Sequence, residues 1–154
     1  MNIALLAGLA LTLFGIYLLK HSLSSYQKAL ASQRWPSVNG QLTDVLLWGS
    51  RNIGGEIKEV EKLNVEYNYQ INGQNYTGTL PTFYTLMYPE TLEFANQHPV
   101  NSDIKIYYNP KNPSESVLIP GPRKDKPYSD LILGFLGVII GAAIAVLSWM
   151  GIIG

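Results

Sequence analysis

Apolar residues gather at the two ends of this chain. No side chain is charged from Ile3 to Leu19, and none from Leu131 to Gly154. Each run approaches or exceeds the roughly 20 residues that a helix needs to cross bilayer hydrocarbon. An unpaired backbone group there costs several kcal/mol, so both runs are expected to be helical. Beyond the first run, Leu19, Leu23, Tyr26 and Leu30 recur at spacings of four and three, which extends the helix into an amphipathic stalk. Trp35-Pro36 should end it, because proline disfavours helix at the residue before it. Trp35 is expected to pack at the junction with a folded domain, given the area its ring can bury.

The middle of the chain changes period. Leu63, Val65, Tyr67, Tyr69 and Ile71 alternate with Asn64, Glu66, Asn68 and Gln70, the pattern of a strand with one buried and one wet face. Asn72-Gly73 follows, a dipeptide suited to the two positive-φ positions of a tight hairpin turn, and Tyr76, Gly78 and Leu80 resume the period. Val38 to Trp48 reads as a strand of irregular period, and Gly54-Gly55 as a loop or hairpin tip after it. Ile104, Ile106 and Tyr108 mark another strand, closed by Asn109-Pro110 and Asn112-Pro113 turns before a short strand at Val117 to Ile119. Pro89 to Gln97 suggests a short helix with Leu92, Phe94 and Ala95 on its apolar side.

Together these elements predict two transmembrane helices flanking a small β-barrel or β-sandwich. Residues 1–34 form helix and stalk, 35–120 the β-domain, 121–130 a proline-stiffened linker, and 131–154 the second helix. The β-domain, at about 85 residues, suffices for one small core. Phe83, Tyr84, Leu86, Met87 and Tyr88 lack a clean period of two. They form either a buried crossover strand or an exposed aromatic patch that meets a partner or the membrane interface. In the second helix Gly137, Gly141 and Ala145 fall four apart with Gly134 beside them, and the first offers Ala4, Gly8 and Thr12. That spacing lets helix backbones approach, between the two helices or between copies.

All 11 Lys and Arg and all 11 Asp and Glu lie between the apolar runs. Lys20, Lys28 and Arg34 flank the first, and Arg123, Lys124 and Lys126 flank the second. The positive-inside rule therefore points the connecting domain to the cytoplasm. Ala29-Leu30-Ala31 has the form of a signal-peptidase site. The missing basic residue before the run, the run's length, and Lys20, His21 and Lys28 ahead of the site all disfavour cleavage.

Candidate chemistry is sparse. With 0 Cys, thiol catalysis and Cys-based metal sites are excluded. The 2 histidines, His21 and His98, are too few for a His-rich metal site, and neither has an evident partner. Glu56, Glu59 and Glu61 among Lys58 and Lys62 read as a solvated charge run rather than an acid–base site. Gly54-Gly55 lacks the following Gly-Lys and helix of a phosphate loop. A net charge of +0 argues against nucleic acid. Asn75-Tyr76-Thr77 matches a glycosylation sequon inside an expected strand. No cofactor, no metal and no catalytic residue is expected.

Three segments carry a resemblance: Arg34-Trp35-Pro36-Ser37-Val38-Asn39-Gly40, then Tyr67 to Tyr76, then Ile106-Tyr107-Tyr108-Asn109-Pro110-Lys111-Asn112-Pro113 with Leu118. In this order they resemble the bacterial domain-of-unknown-function family 3592. That family has a Trp-Pro pair and a Gly before the first strand, a Tyr-x-Tyr strand with a Gly-x-x-Tyr return, and a Tyr-Tyr-Asp-Pro-x-Asn-Pro turn. Trp35, Pro36, Gly40, Asn72, Gly73, Tyr107, Tyr108, Asn109 and Pro110 are thus expected to be structural. Asn109 stands where Asp is usual, which keeps the turn and removes a carboxylate. The resemblance implies architecture and supplies no catalytic residues. The expected function is a non-catalytic, membrane-anchored protein-interaction module, an accessory or assembly component in the bacterial inner membrane. Its partners would be the lipid bilayer and other membrane proteins or its own copies. Alternatives are an immunity or stress protein that neutralises an envelope-acting toxin, and a small membrane hydrolase, which the shortage of nucleophile–base pairs disfavours.

Overall fold

The computed structural model describes residues 2–125 and 128–153. Lys126 and Pro127 of the expected linker, Gly154 of the expected second span, and Met1 lie outside the described residues. In chain order the elements are α1 (Ile3–Ser32), β1 (Ser37–Ile53), β2 (Glu56–Ile71), β3 (Gln74–Gly78), α2 (Glu90–Gln97), β4 (Asp103–Asn109), β5 (Asn112–Val117) and α3 (Ser129–Trp149). They form two compact units, Met1–Gln27 with Arg123–Gly154, and Lys28–Pro122.

Helices at both ends thus flank a β-domain, as the pattern predicts. Both α1 and α3 are long and apolar enough to cross a membrane, with mean hydropathies of 2.1 and 2.7 over their most apolar stretches. Only 11% and 17% of those stretches are buried within the chain, so neither is a core helix of the folded domain. As expected, α1 runs through the stalk and stops before Trp35-Pro36. The stalk stripe is different: Leu23 and Leu30 are exposed, whereas Ser22, Ala29 and Ser32 are buried. Small residues take the inner positions because close contact leaves no room for leucine there.

The second unit is one five-stranded antiparallel sheet in the order β3-β2-β1-β4-β5. The expected barrel is not closed, and no second sheet makes a sandwich among the described residues. β3 and β5 remain the edges, and side chains of β2 reach across to β5 without a ladder: Tyr69 Oη donates to Pro113 O at 2.6 Å, and Tyr67 Oη lies 3.0 Å from Ser116 Oγ. Pro113, which has no N–H, is tolerated because β5 is an edge. β5 begins at Asn112, earlier than the expected Val117 to Ile119 strand, and the N–H groups of Leu118 and Ile119 instead donate to Pro81 O.

β1 and β2 form a long hairpin around Gly54-Gly55, whose φ angles of 63° and 91° suit a tight two-residue turn. The charged stretch 51–62 is therefore mostly hairpin arm, not loop. The irregular period of β1 has a physical cause, since the register shifts between Leu42 and Asp44 and again between Trp48 and Ser50. Asn72-Gly73 turns β2 into β3, with φ of 50° and 82°. The inner face of the sheet supplies Leu42, Val65, Tyr67, Tyr69 and Ile106, and Phe94 of α2 and Leu118 complete the core. Thr91, on the same side of α2, donates its hydroxyl to Val60 O.

Candidate functional site

In the first unit α1 and α3 meet through small residues. A β-carbon at Gly8 would lie 2.7 Å from Ala145 N and 2.8 Å from Gly141 O. Seven residues on, one at Gly15 would lie 2.7 Å from Val138 N and 2.8 Å from Gly134 O, so the helices run antiparallel. From the other side, a β-carbon at Gly141 would lie 2.6 Å from Thr12 N and one at Gly134 would lie 2.8 Å from Leu19 Cγ, while one at Gly137 would lie 3.3 Å from Gly15 Cα. Gly8, Gly15 and Ser22 on α1 and Gly134, Gly141 and Ser148 on α3 are buried, whereas Ala4, Thr12, Gly137 and Ala145 are half-buried. Thr12 Oγ1 satisfies itself on Gly8 O at 2.8 Å. The fully buried positions recur every seven residues, the period of two helices in sustained contact along one seam. Gly15, Ser22 and Ser148 were not singled out by the four-residue spacing; the seven-residue repeat is the signal that finds them.

The expected structural residues hold the second unit together. Trp35 meets Phe83 edge-on at 5.7 Å. Pro36 O accepts from Tyr108 N at 3.1 Å, fixing the start of β1 against β4. Gly40 lies where a β-carbon would strike Ile106 Cδ1 at 2.3 Å and Asn68 O at 2.4 Å. Tyr107 pairs with Ser37 and Val117 in the ladders, and Asn109 with Asn112 across the Pro110-Lys111 turn. Asn109 uses both ends of its amide: Oδ1 accepts from Lys111 N at 3.0 Å, and Nδ2 donates to Glu115 Oε2 at 2.8 Å. An aspartate could make the first bond and would repel Glu115. Glu115 also pairs with Lys28 Nζ at 2.7 Å. Partial burial opposes its charge, but the bonds from Lys28 and Asn109 prevail and hold its carboxyl below the ordinary value.

The segment 83–88 is neither a crossover strand nor one continuous exposed patch. It is irregular chain leading from β3 to α2, in which Phe83, Tyr84, Leu86 and Tyr88 are half-buried and Met87 is exposed. Thr82 Oγ1 donates to Tyr84 O, Glu90 accepts from Met87 N at 3.2 Å, and the Arg51 guanidinium lies 5.1 Å from the centre of the Tyr88 ring. Backbone bonds to side chains replace the ladder that a strand would need.

In the second unit an aromatic ring faces outward elsewhere, on the outer side of the β1–β2 hairpin. Trp48 is 41% exposed, and neighbouring Leu46 is 51% exposed. The Trp48 ring is held from two sides, by Nε1 donating to Asn64 Oδ1 at 3.1 Å and by Lys62 Nζ at 4.5 Å from the ring. Further along the same outer face, Asn39, Gln41, Asn68 and Gln70, with Asp103 and Lys105, line an open groove of about 810 Å³ with balanced charge. Trp48 as a surface anchor was legible only as the end of an irregular strand, because the bulge at Thr43 decides which way it points.

His98 stacks on Phe94 at 4.5 Å with Nδ1 3.1 Å from Phe94 O, and His21 stacks on Tyr17 at 6.2 Å. Glu61 pairs with Arg51 at 2.9 Å and Glu56 with Lys58 at 3.3 Å, the contacts of a solvated hairpin. Among the described residues no group of three or more His, Asp or Glu side chains could hold a metal ion. The buried hydroxyl cluster ties β2 to β5 and to the chain that follows β3. Tyr67 Oη has one proton and donates it to Leu80 O at 3.0 Å, so Ser116 Oγ must be the donor in its bond to Tyr67. Burial pushes the Tyr67 phenol up to about 12.

No curated protein matches the chain. The family model for the domain of unknown function DUF3592 matches residues 38–123, from β1 through the strand and turn motifs described above to the approach to α3, and the chain belongs to that family.

Proposed function

We propose that this protein is a membrane-anchored, non-catalytic interaction module, an accessory or assembly component of a complex in the bacterial inner membrane, with its β-domain on the cytoplasmic side. The observation that carries the reading is the presentation of Trp48. A large aromatic ring stands on the wet side of a hairpin, and its rotamer is held by Asn64 and Lys62. Ordering such a ring before contact lowers the entropy lost on binding, and tryptophan is enriched among residues that dominate interface energies. The two apolar helices supply the anchor, and the basic residues at their connecting ends favour the cytoplasmic side.

The test is purification of the full-length chain from membranes in mild detergent, beside a Trp48→Ala variant. A polypeptide in stoichiometric amount, including a further copy of this chain, should accompany the native protein and be depleted at least tenfold by the substitution. A native chain that purifies alone as a monomer would remove the reading.

A further inference from the structure

The β1–β2 hairpin has two long edges, and they differ. The β2 edge is blunted by Lys58, Glu59, Glu61 and Lys62, and the carbonyl of Val60 is occupied by the Thr91 hydroxyl. Charges of this kind are how proteins keep an edge from pairing with another chain. The β1 edge is covered by β4 over Ser37 to Gln41, and Leu42 bonds to Asn101 and Ser102. From Asp44 to Ser50 the edge reads Asp-Val-Leu-Leu-Trp-Gly-Ser, with no lysine or proline. Among the described residues, the backbone of this stretch bonds only to β2. Leu46 and Trp48 project from it on the outer face.

From this we infer that the β1 edge pairs with the β1 edge of a second copy of this chain, antiparallel, about a two-fold axis at Leu47. The inference rests on the interaction-module reading and names its partner. An isologous contact requires a self-complementary surface, and this strand is self-complementary in one register. With Leu47 opposite Leu47, each Leu46 faces the other copy's Trp48, so the two exposed apolar residues cover one another twice. Asp44 falls opposite Ser50, a carboxylate beside a hydroxyl donor, and Val45 falls opposite Gly49, which leaves it room. Every opposed pair lies on the same face, as antiparallel pairing demands. No like charges meet. A one-residue slip would set outer-face residues against inner-face residues and lose the match. Two copies anchored in one membrane also meet at raised effective concentration, so a short ladder suffices.

The native chain has 0 Cys, which makes cross-linking clean. In membranes containing the full-length protein, Leu47→Cys should oxidise to a disulfide-linked dimer. Leu46→Cys and Trp48→Cys copies expressed together should form a mixed dimer at least fivefold more efficiently than either forms with itself. These two positions are exposed, so that comparison stands even if Leu47→Cys perturbs the fold. Glu59→Cys on the β2 edge is the control and should stay monomeric. Leu46→Lys in the otherwise native chain should weaken self-association in detergent at least tenfold. Equal cross-linking at Glu59, or no preference for the mixed pair, would overturn the register. A chain that never cross-links to itself but co-purifies a different polypeptide would overturn the second copy as partner while leaving the interaction-module reading in place.

Discussion

At the scale of single residues, the β-domain depends on a few polar side chains that bridge elements the ladders do not join. Tyr67 is fully buried, and its hydroxyl serves both Leu80 O and Ser116. Tyr67→Phe leaves both without that partner and should cost about 1–3 kcal/mol in thermal or denaturant unfolding of the detergent-solubilised chain. Burial raises this phenol from 10.0 to about 12, so the unfolded chain ionises first. The Tyr67 contribution is whole below pH 10 and is lost as pH rises towards about 12. The alkaline loss of stability should shrink in Tyr67→Phe, and a variant with the native alkaline profile would contradict the assignment. Glu115 works at the other end of the scale. Its carboxyl is held low by Lys28 and Asn109 against the opposing effect of burial, so its contribution is present above the unfolded carboxyl range and fades as pH falls through the folded value. Glu115→Gln should flatten the acid limb of a stability–pH curve. Its cost at neutral pH should stay within about 1 kcal/mol, because the Lys28 side chain is about half exposed to solvent.

At the scale of elements, the helix pair and the hairpins follow different rules. The α1–α3 contact is set by backbone approach at Gly8, Gly15, Gly134 and Gly141, where an added β-carbon would fall inside 3.0 Å of the neighbouring helix. Gly15→Leu with Gly141→Leu should separate the helices without preventing insertion, since leucine is favourable in hydrocarbon. Ala142→Leu with Ala143→Leu, at exposed positions, adds similar volume outside the contact. Cysteine cross-linking between α1 and α3 should fall in the glycine pair and persist in the alanine pair; equal cross-linking in both would show that the small residues do not set the packing. In the sheet, Gly78 lies where a β-carbon would meet the Tyr67 ring at 2.2 Å. Gly78→Val therefore displaces a core ring as well as crowding an edge strand, and should cost about 1–3 kcal/mol by thermal melting.

At the scale of the whole molecule, two helices of membrane-spanning composition and one open sheet describe a chain whose charged residues are confined to the stretch between its ends. The cytoplasmic assignment is directly testable. A single cysteine at exposed Asn112 should resist a membrane-impermeant thiol reagent in intact cells and react after the membrane is opened. Strong labelling of intact cells would place the domain on the opposite side.

What the sequence determined by itself is local. A 3.6-residue or 2-residue period, an Asn-Gly turn or a Trp-Pro stop is written in neighbouring residues, so the terminal helices, the Leu63 to Ile71 strand, its return and the short α2 are all legible. The resemblance also placed Trp35, Gly40 and Asn109 in structural positions. Only the tertiary structure decided which residues meet at long range. β3 and β5 share no ladder, and the open sheet is spanned instead by the Tyr67 and Tyr69 hydroxyls of β2, which meet Ser116 and Pro113 of β5. Asn109 suits its place because Glu115 lies beside it. The helix seam follows a seven-residue repeat that includes Gly15 and Ser148, since a seam depends on what the facing helix presents. Trp48 reaches solvent because the bulge at Thr43 shifts the alternation of the strand before it, and a bulge is a mismatch between two strands that neither carries alone.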